Sequence, residues 1–177
     1  MGGPAGSLAP EMRFFSKRRF GTSAIHALYQ QHGPALLLYA RSLIGRTHAE
    51  DAIQQVFMKL LERDELPEDP KPYLFRAVHN AALNLVRGED NHVALNEVEN
   101  WFETSPTDVA HEITLRASLM DLPVEQREVL VLRIWGGLSF EEVASILNIS
   151  PNTAASRYRY ALRKLRSALV EGLPNDE

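Results

Sequence analysis

The sequence predicts an all-α fold in which two small helical domains are joined by an acidic linker. Apolar residues recur at helical spacing along most of the 177-residue chain, and no segment shows the strict alternation of a strand. From Glu89 to about Pro106 this periodicity fails, and the seven carboxylates between Gly88 and Glu112 have no lysine or arginine among them. We therefore expect a flexible leader at 1–21, a helical domain at 22–88, a linker at 89–106, a second helical domain at 107–172 and a tail at 173–177.

The composition excludes several classes of protein. The hydrophobic fraction of 45% excludes wholesale disorder, and no apolar run approaches the roughly 20 residues of a membrane span. The chain has no cysteine, which fits the reducing cytoplasm and leaves no thiolate metal site. The six histidines show no paired ligand spacing, and there is no glycine-rich phosphate loop or nucleophile elbow. We expect no metal, no cofactor and no catalytic site, so the protein is predicted not to be an enzyme.

The first domain is predicted to begin with an interrupted helix. Thr22 or Ser23 can cap a helix that runs through His32. Gly33-Pro34 is expected to interrupt it before a second apolar stretch at 35–44, because proline removes a backbone donor and glycine is a weak helix former.

Two further helices complete the first domain, and two more open the second. A helix capped by Thr47 carries apolar residues on one face, and its other face is polar. That polar face holds Glu50, Asp51, Gln54, Gln55 and Lys59. After a proline-marked loop, a helix is expected at 73–86. The second domain is expected to start with helices at 107–121 and 123–135, the latter closed by Gly136-Gly137.

A helix-turn-helix follows, and its boundaries are encoded locally. Ser139 and Glu142 have the spacing of a capping box, in which a hydroxyl and a carboxylate each bind a backbone amide at the start of a helix. Asn148 tolerates the left-handed conformation that ends such a helix. Ser150 can cap the next helix, with Pro151 in its first turn.

The second helix of this motif is basic. No acidic residue occurs between Ser150 and Ser167, and the helix carries Arg157, Arg159, Arg163, Lys164 and Arg166. Such a helix suits the major groove of DNA, where cations meet phosphates and base edges. The alternative interpretation is a plain helical hairpin with a solvated basic face. The net charge of −4 predicts poor binding to naked duplex, and a need for a partner that exposes or orients the basic helix.

Three segments of the chain resemble the extracytoplasmic-function sigma factors of bacterial RNA polymerase, which belong to the sigma-70 family. They are AEDAIQQVF (Ala49 to Phe57), YLFRAVHNAALNLVR (Tyr73 to Arg87) and LPVEQREVLVLRIWGGLSFEEVASILNISPNTAASRYRYALRKLR (Leu122 to Arg166). The resemblance implies a region 2-like helical bundle followed by a region 4-like helix-turn-helix. It also implies a subunit that binds core polymerase and directs promoter-specific initiation. Its implied partners are the clamp helices of the largest polymerase subunit, the flap of the second-largest subunit, promoter DNA and an anti-sigma factor.

The resemblance also assigns candidate residues to each contact. Asp51, Gln54 and Gln55 would bind the clamp helices. The candidates for the minus-ten element are Tyr73, Phe75, Asn80 and Asn84, with the aromatic rings supporting melted bases. The candidates for the minus-thirty-five element are Asn152, Thr153, Ser156, Arg157, Arg159, Arg163 and Lys164. Among these Arg157 is expected to be the principal base reader, while Arg159, Arg163 and Lys164 are better placed for phosphates.

Structural roles remain open for several of these residues. Phe75 can equally be a core residue, and Tyr73 can anchor a loop. The resemblance implies that the acidic linker threads into the RNA-exit path of the polymerase, but a solvated tether is an equal alternative. Trp101 and Phe102 are expected to dock on a domain, and a contact to a ligand is the alternative role for this pair. The rival functions are a stand-alone helix-turn-helix regulator with an N-terminal sensing or dimerisation domain, and a protein-interaction module such as an anti-sigma decoy.

Overall fold

The computed structural model describes residues 21–88 and 117–171, and within these ranges the regular structure is entirely helical. The helices are α1 (Thr22–Leu61), α2 (Pro70–Gly88), α3 (Val124–Ile134), α4 (Phe140–Leu147) and α5 (Pro151–Glu171), and residues 117–120 are helical as well. The predicted all-α class is therefore confirmed. The predicted leader, acidic linker and tail, together with Trp101 and Phe102, lie outside the described residues. No helix in these two ranges is long and apolar enough to cross a membrane.

Helix α1 is a hairpin of two arms, residues 22–44 and 46–61, which meet at Gly45. This glycine has φ 74° and ψ −179°, a conformation outside the helical region. The rings of Tyr29 and Phe57 pack edge to face with centroids 5.2 Å apart, whereas a straight helix would separate these positions by about 40 Å. The two arms therefore run antiparallel and pack on each other.

The first arm corrects two of the sequence predictions. It continues through Gly33 and Pro34 without interruption, and Pro34 lies inside the helix. Proline costs the helix one backbone hydrogen bond, but the next two turns bury Leu36, Leu38, Tyr39 and Ala40, and this burial outweighs the local loss. The N-cap residue is Gly21, with no side-chain capping bond, so the predicted cap at Thr22 or Ser23 is also wrong.

The predicted signals of the helix-turn-helix are confirmed. The Ser139 hydroxyl accepts from the Glu142 amide at 3.1 Å, and the Ser139 amide donates to the Glu142 carboxylate at 2.5 Å. Asn148 has φ 54° and ends α4 in the left-handed conformation. The Ser150 hydroxyl then accepts from the Thr153 amide at 3.0 Å and caps α5. Local hydrogen bonds therefore fix the angle between α4 and α5.

One hydrophobic core joins the two parts of the described chain, which we call the N-terminal unit (residues 21–88) and the C-terminal unit (residues 117–171). Leu36, Phe75 and Val78 of the N-terminal unit share this core with Val131 and Leu138 of the C-terminal unit. The C-terminal unit also has a small core of its own, formed by Leu119, Leu122, Leu130, Ala161 and Leu165. The two units therefore pack directly against each other.

Candidate nucleic-acid interface

The basic helix α5 has a buried face and a solvent face. Ala154, Ala161 and Leu165 are buried. On the other side Asn152, Arg159 and Arg163 are exposed, with Ser156 half-buried between them. Positions 152, 156, 159 and 163 are spaced by four, three and four residues, so they form one row along the helix. This row is open to a ligand.

Arg157 does not lie in that row. Helical spacing places it between Ala154 and Ala161 on the inner side of α5, and its side chain is half-buried. Its positive charge acts on Glu128 of α3 and opposes the rise in the pKa of that carboxyl. The structure therefore directs Arg157 toward the protein, in contrast to its predicted role as the principal base reader.

One further cation of α5, Lys164, lies beside Arg163 at the end of the exposed row. Lys164 is exposed, and the Arg163 guanidinium lies 5.1 Å from the centre of the Tyr160 ring. Arg163, Lys164, Tyr160, Gln126 and Ser167 line a shallow depression on the surface. Cations and hydroxyls at such a position suit contacts to phosphate oxygens rather than to base edges.

The four minus-ten candidates on α2 fall into two groups. Asn80 and Asn84 are exposed one helical turn apart, so both amides are accessible on one face. Tyr73 is half-buried, and its hydroxyl accepts a 3.4 Å bond from Arg63, whose guanidinium lies 5.2 Å from the ring centre. Phe75 is 1% exposed, so its ring cannot stack on a base in this arrangement.

The contacts of Phe75 come from both units. Its ring centroid lies 5.9 Å from that of Tyr39, in the first arm of α1. On the other side the ring meets Gly136 of the C-terminal unit, where an added Cβ would come within 3.2 Å of it. The core role that the sequence left open for Phe75 is therefore the role seen in the structure.

The three polymerase-contact candidates share one surface on the second arm of α1. Asp51, Gln54 and Gln55 are all exposed, and Met58, one turn further along, is 54% exposed. An apolar groove runs beside them between the two arms. It is lined by Tyr29, Gly33, Leu37, Glu50, Ile53, Gln54, Phe57, Met58 and Leu61. A polar rim beside an apolar groove is a common arrangement for a protein-binding surface.

A buried polar cluster that was absent from the predictions bridges the two units. The Tyr39 hydroxyl lies 2.9 Å from His79 Nδ1, and the same nitrogen lies 3.5 Å from the Glu128 carboxylate. Burial raises the pKa of Glu128 from 4.5 to about 7, and burial lowers the pKa of His79. A usable signal existed, because helical spacing places Glu128 on the same face as the apolar Val131 and Leu132.

Two hydrogen bonds at the edge of this interface also cross between the units. Arg76 of α2 donates to the Ser145 hydroxyl of α4 at 2.5 Å. Lys71 donates to the Gly137 carbonyl at 2.8 Å. Within residues 21–88 and 117–171, no group of three or more histidine, aspartate or glutamate side chains is arranged to hold a metal ion.

A capped turn followed by a helix with a polar, basic outer row defines a helix-turn-helix DNA-binding protein. Comparison with known families is more specific. The family description Sigma-70 region 2 matches residues 28–92, and Sigma-70, region 4 matches residues 113–165.

Individual relatives agree with these matches. The chain is 35% identical over 146 residues to the RNA polymerase sigma-E factor of Streptomyces coelicolor, covering 77% of this chain and 80% of that protein. It is 28% identical over 158 residues to the ECF RNA polymerase sigma factor SigL of Mycobacterium tuberculosis, covering 83% and 89%. Among solved structures, CnrH in complex with the cytosolic domain of CnrY matches with a TM-score of 0.62 and 26% identity, over 86% of this chain and 92% of CnrH.

The chain therefore belongs to the extracytoplasmic-function group of the sigma-70 family. It is a sigma factor that binds RNA polymerase and promoter DNA and directs transcription initiation.

Proposed function

We propose that the two units of this sigma factor divide promoter recognition between them. The N-terminal unit binds core polymerase and the minus-ten element, and the C-terminal unit binds the minus-thirty-five element. The observation that carries this proposal is the exposed row of Asn152, Ser156, Arg159 and Arg163 on a helix whose entry angle is fixed by a capped turn.

The second arm of α1 is the proposed contact to the clamp helices of the largest polymerase subunit. Asp51, Gln54 and Gln55 supply hydrogen-bonding groups on one exposed face, and the adjacent groove with Met58 and Phe57 supplies apolar area. This combination is suited to the ridge of a helical hairpin. The C-terminal unit is proposed to contact the flap of the second-largest subunit.

Helix α2 is the proposed reader of the minus-ten element. Asn80 and Asn84 can donate to and accept from the exposed edges of unpaired bases. Tyr73 is half-buried beside Arg63, and Phe75 is available to support such bases only when the C-terminal unit moves away from α2, because Gly136 covers it in this structure. Melting the start site then requires the capture of flipped bases, not a chemical step.

Helix α5 is the proposed reader of the minus-thirty-five element, with its roles revised. Asn152, Thr153 and Ser156 lie near its beginning, where side chains reach bases in the major groove. Arg159 takes the principal base contact in place of Arg157, because Arg159 is exposed in the row and Arg157 faces Glu128. Arg163 and Lys164 bind phosphates.

We further propose that the protein acts as a non-enzymatic subunit in the cytoplasm, where the polymerase and the chromosome are found. The acidic linker is proposed to occupy a basic channel of the polymerase, where its carboxylates imitate nucleic acid. An anti-sigma factor is a proposed further partner, since the sigma factor RpoE from Bartonella quintana, whose structure this chain resembles with a TM-score of 0.63, was solved in complex with the anti-sigma factor NepR.

Run-off transcription with purified core polymerase tests this function. The wild-type chain should give promoter-dependent transcripts, and the triple alanine variant of Asp51, Gln54 and Gln55 should lose them through weaker polymerase binding. A matched control replaces Glu68 and Asp69 with alanine, which removes exposed polar side chains from a loop of the same unit. A chain that binds the promoter alone but never supports initiation would instead be a stand-alone regulator.

A further inference from the structure

The packing of the two units is incompatible with simultaneous binding of both promoter elements. The minus-ten and minus-thirty-five elements are named by their positions in base pairs, so they lie about 25 base pairs apart. This separation corresponds to about 80 Å of duplex. A compact chain of this length has a radius of gyration of about 16 Å. Because Arg76 and Ser145 are in hydrogen-bond contact across the interface, the units must separate before each can reach its own element.

The interface also covers part of the proposed minus-ten reader. Phe75 is enclosed between Tyr39 and Gly136, and Arg76 is held by Ser145. The arrangement in this structure is therefore a closed state, and promoter binding requires an open one.

We propose that the free sigma factor holds itself closed, and that the buried Tyr39–His79–Glu128 cluster is a latch whose charge state sets how readily the two units part. This proposal rests on the proposed function, in which each unit binds its own promoter element. The cluster suits a latch because its members come from both units, with Tyr39 and His79 in one and Glu128 in the other. Separation of the units admits water to all three groups.

Several charged and titratable groups face Glu128 from the helices packed around it. Tyr39 lies on α1 and His79 on α2, Glu125 and Arg127 lie on α3 with Glu128 itself, and Arg157 lies on α5. Burial and the Glu125 charge raise the pKa of Glu128, while Arg157 and Arg127 lower it. Burial has the larger effect, because the pKa of Glu128 still stands at about 7.

The sign of the pH dependence follows from this balance. In the closed state Glu128 holds a proton up to a pH of about 7, and in the open state it releases that proton above its ordinary pKa of 4.5. Opening therefore becomes easier as the pH rises toward 7, by at most about tenfold for each pH unit. His79 opposes this trend at acid pH, because its pKa is lowered in the closed state and opening lets it take up a proton. The Glu128 effect is clearest between the ordinary pKa of histidine, 6.5, and a pH of about 7.

A distance measurement on the full chain tests the latch. Because the chain has no cysteine, spin labels can be placed at Glu62→Cys and Glu141→Cys, two exposed positions on opposite units. At pH 6 we expect one short separation, and by pH 8 a growing population with a long separation. Core polymerase with promoter DNA should give the long separation at both pH values.

Two variants and a control make the test specific. Glu128→Gln should keep the units closed and remove most of the pH response, because a neutral amide replaces the titrating carboxyl. Asp121→Asn removes a carboxylate from an exposed position just before α3 and should leave the response unchanged. Arg76 lies at the exposed edge of the interface, where it donates to Ser145. Arg76→Ala removes this bond between the units and should raise the open fraction several-fold at every pH. Helical content measured by circular dichroism separates opening from unfolding.

The outcomes distinguish the latch from the proposed function. The latch is wrong if the free chain shows no short separation at any pH, or if Glu128→Gln responds to pH as the wild type does. Run-off transcription by the labelled chain is scored in parallel. If the labelled chain supports transcription but the distance measurement shows no closed population, the latch alone is wrong. If the closed population is present but no transcripts form, the proposed function is wrong and the latch is supported.

Discussion

The two units of this protein differ in what determines the ends of their helices. In the C-terminal unit local hydrogen bonds set the boundaries: the capping box of Ser139 and Glu142, the left-handed Asn148 and the Ser150 cap. In the N-terminal unit α1 begins at Thr22, its N-cap residue Gly21 supplies no side-chain bond, and the helix passes through Pro34. Its course is set by burial against the rest of the fold. The comparison shows that local hydrogen bonds fix the turn before α5, whereas long-range packing determines the course of α1.

The largest expected effect comes from disturbing the shared core. Leu36 is fully buried two residues after Pro34, so Leu36→Ala should lower the free energy of unfolding by about 2–5 kcal/mol. Urea denaturation followed by circular dichroism measures this. Leu162→Ala, at a 39% exposed position of α5, is the control and should change stability by less than about 0.5 kcal/mol. A loss below about 1 kcal/mol for Leu36→Ala would contradict the view that packing holds α1 through its proline.

The next effect is a pH dependence that originates at the interface between the units. Because the pKa of Glu128 is raised from 4.5 to about 7, its contribution to stability is complete below pH 4.5 and is lost as the pH rises toward 7. The loss amounts to about 3 kcal/mol. Glu128→Gln should lack it, so the variant should gain stability relative to wild type between pH 5 and pH 7.5. Urea denaturation at a series of pH values tests this, and parallel curves for the two proteins would refute it.

A smaller effect separates the inner and outer faces of α5. Arg159→Ala should weaken holoenzyme binding at the minus-thirty-five element by about 1–3 kcal/mol and relax its sequence preference. Lys164→Ala should weaken binding to every sequence alike and reduce the salt dependence. Arg157→Ala should change the sequence preference less than Arg159→Ala does. Binding titrations on promoters with single base changes measure all three, and a larger loss of preference for Arg157→Ala would restore the original assignment.

The smallest effect compares the caps of the two units directly. Ser139→Ala removes both the hydroxyl and its bond to the Glu142 amide, and should cost about 1 kcal/mol of stability. Thr22→Ala is the matched change at the start of α1 and should have almost no effect, because the N-cap there is Gly21. Thermal denaturation of the two variants gives the comparison. Equal losses would mean that the start of α1 is also fixed by a side chain.

Sequence patterns predicted the helix boundaries that residues within four positions determine. They gave wrong boundaries where contacts with distant residues determine the course of a helix. The capping box, Asn148 and Ser150 each act within four residues, and all three predictions are confirmed. The expected interruption at Gly33-Pro34 is wrong, because the burial that keeps the helix intact involves residues far along the chain.

The candidate site shows the same limit. The polar face with Asp51, Gln54 and Gln55 followed from helical periodicity, whereas Asn80 and Asn84 were candidates only through the family resemblance. The inward position of Arg157 could have been found from its spacing between Ala154 and Ala161, but its positive charge suggested a surface role. Helical spacing could have placed Glu128 on the inner face of its helix, but no local pattern indicated His79 as its partner, because the contact joins residues on different helices.

Gly45 has a consequence for which substitutions the chain can accept. Its φ of 74° with ψ of −179° lies in a region that only glycine enters readily, although no atom lies within 4 Å of an added Cβ. The obstacle to substitution is therefore torsional and not a matter of space. A residue with a Cβ there would strain the bend that brings the two arms together, and with it the groove beside Asp51, Gln54 and Gln55. A single hydrogen atom in place of a side chain thus preserves the shape of the surface proposed to meet the polymerase.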